Sequence, residues 1–508
     1  MNTTLYRTQF AAYNSSLALA HYQQHLDSEP ELRIDRLRAD YGDLFSNDAL
    51  ADLQSALAGI RPEAESEAAG VRALLGAARL EHLEIQVDEA TRELATCESR
   101  TRIRWSGEAV SPQTISFHLA TEPDKTRRAE LGKRWVDAVA SCNDLRVSRL
   151  RLLHQASASL SFDSYTDLIA ESTRTNLQQV RLDSEGLLEQ TESVYRSAVS
   201  RVVKHDSSLV TTSELGFADL VFLERMPWLD KFFATQNWMK IYSEMFDLLG
   251  IRVDRQPNIQ ISVLSPALRD RQSACFAVNP PGDVRLVFSA RPGAAGFDRS
   301  LYTAGVGQQH AWCSKTLADK HPEFIFSADP ATTEAYGWLF SFLLLDPKWT
   351  QQFLAPISEA QARELAADVT AVLALRIRRL IAESSYAMLL HAAGQPSLEQ
   401  LQSAFVDLQN RATAFHFSPE LFLLNLHERF SSAAHLRALV FAAGLREYLR
   451  RRYGNRWWVS RKAGDELIDL WNTASRYPVE ELARLIGFEF NFELLAELLN
   501  SILTGAMK

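Results

Sequence analysis

Ala304-Gly305-Val306-Gly307-Gln308-Gln309-His310-Ala311-Trp312 lies inside the segment from Phe297 to Leu345, around which the chain is organised. Spaced by four, Val306 and His310 fall on one face of a helix, with Gly307 one position round. A single histidine on a helix is usually a packed, hydrogen-bonded residue, so the flanks carry the argument. Upstream, Asn258 to Leu264 alternates with a period of two and reads as a half-buried strand. Ala274 to Val278 and Val284 to Phe288 follow as further strands, separated by the turn Asn279-Pro280-Pro281-Gly282-Asp283. Pro292, Gly293 and Gly296 end the last strand, and Asp298 is placed to N-cap the helix that carries His310. Downstream, Asp329-Pro330 is a helix start with proline at the first helical position, and Glu334 lies early on that helix.

Two imidazoles four residues apart, with a glutamate after the first (His-Glu-x-x-His), bind zinc and activate its water. In that frame His310 is the second imidazole, Val306 stands at the first and Gly307 at the glutamate. Glu334 takes the place of the carboxylate that completes a His-His-Glu site. The small sheet just upstream suits such a site, because an edge strand can align an extended peptide beside it. Other donors lie close in sequence. Gln308 and Gln309 sit off the 306/310 face, and amides are poor zinc ligands. Cys313, three residues after His310, falls near its face and could ligate as a thiolate. His321 is a further candidate. On ligand count the favoured expectation is that His310 and Glu334 hydrogen-bond to each other in a polar pocket.

An apolar fraction of 46% and a charged fraction of 23% suit a folded core with a soluble surface. A net charge of -9 gives no electrostatic footprint for nucleic acid. The four cysteines, Cys97, Cys142, Cys275 and Cys313, are far apart and lack paired-ligand spacing. That argues for a reducing compartment and against both a disulfide framework and a cysteine zinc site. The N-terminal residues show no signal-peptide pattern, and apolar runs such as Leu339 to Leu345 are too short to span a bilayer. A cytoplasmic protein with no membrane partner is expected. The basic run Arg446 to Lys462, with Trp457 and Trp458, reads as a solvated helix end rather than a nucleic-acid patch. Neither a phosphate-cradling glycine loop nor a Gly-x-Ser-x-Gly elbow is present.

Elsewhere the helical period dominates. Leu53, Leu57 and Ile60 mark one apolar face, and Arg61-Pro62 breaks it. Glu122-Pro123-Asp124 starts another helix, with Leu131, Trp135 and Val139 on one face. Thr101 to His118 reads as an irregular or short-hairpin insert. Aromatic-rich helical segments at Phe217 to Trp228 and Phe232 to Phe246 are expected in the core. Beyond Pro347 the pattern is helical almost to the end, over 360–391, 398–415, 433–453 and 480–485.

Several pieces together resemble the thimet-oligopeptidase and oligoendopeptidase family of zinc metallopeptidases. They are Ser273 to Val278, Asp283 to Phe288, the His310 helix, His321-Pro322-Glu323-Phe324, Asp329 to Phe340 and Asp346-Pro347-Lys348-Trp349. Arg429 to Ala438 resembles the family's tyrosine-bearing segment, and Arg452 to Trp458 also matches in order. The resemblance implies a mainly α fold: a large two-lobed helical body around a channel, with a small β-sheet next to the zinc-site helix. An N-terminal helical region over 1–250 and a zincin-like region over 251–508 would form one continuous body.

Against that family the departures concern chemistry. Val306 has no donor atom, Gly307 cannot polarise water, and the tyrosine segment has Ser431, Ser432 and His435 instead. His435, expected on the opposite lobe, is a candidate channel residue. Only His310 and Glu334 remain as vestigial metal ligands, no catalytic residue is intact, and no cofactor is expected. The leading expectation is a pseudopeptidase whose channel still binds a peptide or a partner protein. One alternative is an active metallopeptidase that holds zinc through altered ligands and hydrolyses short peptides. Another is a structural or regulatory subunit of an active relative.

Overall fold

Local capping explains where many helices begin. Asn2, Asp124, Asp329, Asp346, Ser358 and Ser397 each accept a hydrogen bond from a backbone N–H of the first turn. Ser358 and Ser397 complete reciprocal boxes with Gln361 and Gln400, whose side chains accept from the serine N–H. The computed structural model describes all residues except 1, 28–33, 112–113, 206–214, 235, 269, 290–292, 355, 395, 426 and 506–508. Among the described residues there are 23 α-helices and five short strands, so the fold is mainly α. None of these helices is long and apolar enough to cross a membrane.

Two strands, β1 (Ile103–Trp105) and β2 (Glu108–Val110), form an antiparallel hairpin in the expected insert. Ile115 and Phe117 belong instead to the helix Ile115–Thr121. The other three strands, β3 (Ile259–Val263), β4 (Ala274–Asn279) and β5 (Asp283–Phe288), make one sheet in the order β3-β5-β4. β3 runs parallel to β5, and β4 antiparallel to it. The alternation in β3 correctly marks a strand, but not a half-buried one. Ile261 and Val263 are paired in register with the buried Leu286 and Phe288, yet remain 37% and 59% exposed because β3 is an edge.

The sheet is a spacer between two helices. One face meets the first helix, Thr3–Leu26: the Tyr22 and Phe276 rings cross edge-on at 5.6 Å, and the Arg285 guanidinium lies 4.7 Å from the Tyr22 ring centre. Leu286 on the other face packs against the helix Ala294–Trp312, which carries His310. That helix lies beside Pro330–Ser341, which carries Glu334, and behind it come Ser431–Tyr453 and the 32-residue Glu359–Leu390. The largest buried cluster reaches from Leu83 to Leu503, and a second joins Tyr6, Phe10 and Tyr13 to Leu74, Leu75 and Ala78.

Two further expectations are corrected. Asp298 is not an N-cap: the His310 helix begins at Ala294, after Gly293 with φ +111°, a backbone region open to glycine. Asp298 is one turn inside the helix, where it accepts from Arg376 Nη1 at 2.9 Å and from the Ser341 hydroxyl. Pro292 lies outside the described residues. Cys97 and Cys142 are joined by a disulfide across 45 residues of sequence. Sequence spacing could not reveal this pairing, and the compartment inferred from unpaired cysteines loses its support.

Candidate functional site

The His310 helix presents a narrow face to open space. Tyr302, Val306 and His310, spaced by four, are each partly exposed, while Thr303 to Gly305 and Gly307 to Gln309 are buried. The Glu334 helix runs antiparallel to it. Tyr302 meets Trp338 edge-on at 5.4 Å, and the Thr333 hydroxyl donates to Gln309 Oε1 at 3.4 Å. Close approach is possible because Gly305 and Gly337 lack side chains: a Cβ at Gly337 would lie 2.7 Å from the Tyr302 ring, and one at Gly305 would meet the Tyr336 carbonyl.

Asp329 fixes the start of the Glu334 helix. It accepts from Ala331 N at 3.1 Å, from Arg437 Nη1 and Nη2 at 2.9 and 2.8 Å, and from Val479 N at 3.2 Å. Arg437 also donates to Glu480 at 2.6 Å. This buried ion pair ties the Glu334 helix to Ser431–Tyr453. His435 sits on this second helix, which packs against the Glu334 helix.

Burial governs the titration of the two candidate ligands. It pushes His310 down to about 4, so the imidazole is neutral at pH 7. It raises the Glu334 carboxyl above the usual carboxylate range, a shift partly offset by His435 and Arg299. The expected hydrogen bond between His310 and Glu334 is absent: His310 Nδ1 and Glu334 Oε2 are buried without hydrogen-bond partners. Glu334 Oε2 instead faces His435 Nε2 at 3.4 Å. His435 Nδ1 donates to the Ser431 carbonyl at 2.8 Å, so Nε2 is the nitrogen left for Glu334.

The other candidate donors point away. Gln308 donates to Tyr242 and Gln256 at 3.0 and 2.9 Å. Cys313 leaves the helix at its C-cap and is buried beside Ile325 and Ala474. His321 Nδ1 lies 3.1 Å from Glu323 Oε1, in a network with Arg7. Among the described residues only His205, Glu364 and Asp368 bring three donor atoms within 4.8 Å of one another. Asp368 in that group already accepts from Arg201 at 3.3 Å and Trp228 at 3.0 Å, so it is an ion-paired cluster.

Position 307 carries no donor and is tightly packed. A Cβ there would lie 2.5 Å from Leu286 Cδ2, so a side chain at 307 requires the β5 leucine to move. A catalytic zinc needs three protein ligands and a water. The donors present, His310 and Glu334, do not fit that requirement.

Beside Tyr302 and Trp338 opens a cavity of about 620 Å³, which also takes in Arg299 and the N-terminal turn of the His310 helix. The sequence reading missed Arg299, Tyr302 and Trp338. Extending the Val306/His310 stripe by one and two turns would have found Tyr302 and Arg299. The basic run ends differently from a binding patch: Trp457 and Trp458 are buried, while Arg450 and Arg451 pair with Glu447 and Arg452 with Glu466.

No protein-family model and no curated protein sequence matches the chain. Solved structures do. One assigned as oligoendopeptidase F from Bacillus anthracis str. Ames is 13% identical, with 98% of this chain and 89% of that chain covered and a TM-score of 0.63. PZ peptidase A with an inhibitor is 11% identical over 98% of this chain and 91% of that chain, at 0.63. A second structure assigned as oligoendopeptidase F is 11% identical over 100% of this chain and 92% of that chain, at 0.68. The fold is that of these oligopeptidase-like metallopeptidases; function rests on the site.

Proposed function

We propose that this protein keeps the oligopeptidase body but does not hydrolyse peptides by the zinc mechanism, and that it uses its channel to bind a peptide or an extended segment of a partner protein. The observation that carries the reading is Leu286 against Gly307: a side chain at the place of the catalytic base requires the leucine to move. Val306 supplies no donor, and losing a general base alone removes a factor of roughly a hundred to ten thousand in rate. The cavity beside Arg299, Tyr302 and Trp338 supports retained binding, since at about 620 Å³ it has the size of a ligand pocket and sets aromatic surface beside charged groups.

The test is hydrolysis of a quenched fluorogenic peptide library by protein supplied with zinc, alongside a His310→Ala control. No turnover above the control is expected. Chelator-sensitive turnover abolished by His310→Ala would replace this reading with that of an active metallopeptidase. A combined Val306→His, Gly307→Glu and Leu286→Ala variant tests the cause, because it returns the donors and makes room for the base. Peptide hydrolysis with zinc supplied by the triple variant, but not by Val306→His, Gly307→Glu alone, is the expected result.

A further inference from the structure

We propose that the cavity beside Tyr302 and Trp338 is a carboxylate subsite, with Arg299 as the group that holds the carboxylate; this inference rests on the peptide-binding reading above. The three arginines of the cavity wall differ in how they are neutralised. Arg225 pairs with Asp230 at 2.6 Å and Arg376 with Asp298 at 2.9 Å. Arg299 has no such partner among the described residues. Its Nε donates to the Ser273 carbonyl at 3.1 Å, and its guanidinium lies 4.6 Å from the centre of the Tyr302 ring. Backbone and ring thereby fix the guanidinium at the wall, and among the described residues no carboxylate is ion-paired with it. That is the arrangement a planar, bidentate carboxylate completes.

Two features of the same wall narrow the ligand. Gly293, Ala295 and Gly296 bring the N-terminal turn of a 19-residue helix to the cavity, but Asp230 Oδ1 already accepts from Ala294 N there at 3.3 Å, which leaves Arg299 as the cation for a ligand. Glu224, Asp230 and Asp298 also line the cavity. Three carboxylates in one wall disfavour a doubly charged phosphate and leave a singly charged carboxylate as the anion that fits. Phe117, Tyr302 and Trp338 offer aromatic surface to an apolar residue that carries it.

The geometry also gives a direction. Arg299 and Tyr302 lie two turns and one turn before Val306 on the same helix face. A peptide with its terminal carboxylate on Arg299 would pass its preceding residues along Val306, His310 and Glu334. Val306, which supplies no metal ligand, then becomes an apolar contact for the bound chain. A carboxylate on an acidic side chain would satisfy Arg299 equally.

Fluorescence anisotropy with a fluorescein-labelled alanyl-alanyl-phenylalanine tests this. The probe is compared as free acid, as C-terminal amide, and as an amide with glutamate at its central position. The free acid is expected to bind wild-type protein about tenfold or more tightly than the amide, roughly one charge-assisted pairing. Arg299→Gln should erase the difference and Arg299→Lys should keep part of it. Equal tight binding of the acid and the central-glutamate amide would retain the carboxylate class and assign the source to an acidic side chain. Equal binding of acid and simple amide would overturn the subsite while leaving peptide binding intact. Binding of none of the three would overturn both. The wild-type comparison stands even if Arg299→Gln fails to fold.

Discussion

Gly307 packs its backbone against Leu286 of β5. Returning the glutamate alone is expected to fail on stability as well as on metal binding. Gly307→Glu forces its side chain into Leu286, and overpacking of this kind costs about 1–3 kcal/mol. A lowered midpoint in chemical denaturation, partly recovered by adding Leu286→Ala, is the expected pattern; an unchanged midpoint would mean the space is open. The two free thiols, Cys275 and Cys313, are also shaped by their surroundings. Burial pushes both Cys275 and Cys313 up to about 12, so at neutral pH almost none of either is thiolate. Native-state alkylation by iodoacetamide should be far slower than in denaturant and should accelerate as pH rises towards that value. Labelling at the rate of an exposed cysteine would contradict it. The missing donors at Val306 and Gly307 are legible in the sequence because residue identity is all they require. That Leu286 packs against position 307 is not, since it depends on how β5 packs against a helix.

The Glu334 helix shows how an element is held in place. Asp329 both caps it and receives the buried Arg437. Arg437→Ala would leave that carboxylate buried and unpaired, at a cost of about 3–5 kcal/mol. Denaturant unfolding of the variant measures it, and a loss below about 1 kcal/mol, the scale of a surface pair, would mean the contact is incidental. The Cys97–Cys142 link closes a 45-residue separation, and Cys142→Ser is expected to cost about 2–4 kcal/mol. Peptide mapping without reductant should recover the cross-linked pair. The helix start at Asp329 is legible because cap and proline are adjacent. Asp298 misleads for the complementary reason: it has cap chemistry but sits one turn inside a helix opened by Gly293. β3 is readable as a strand from its alternation, whereas which side is covered follows from sheet order.

Over the whole molecule, the fold is legible only as an ordered set of local pieces. At 11–13% identity the likeness to the solved structures is one of fold, and the sheet, the His310 helix and the Asp329 start follow one another here in the order read from the sequence. The cavity beside Arg299 escapes such a reading, because helices and loops distant in the chain converge there. The disulfide and the pairing of His435 with Glu334 escape it for the same reason. Zinc content per chain, measured on protein purified without added metal or chelator and followed by titration with zinc, decides whether the site holds a metal. Near-zero zinc and no tight site are predicted, because two donors remain where three are needed. One tightly held zinc per chain, lost in His310→Ala, would contradict the account.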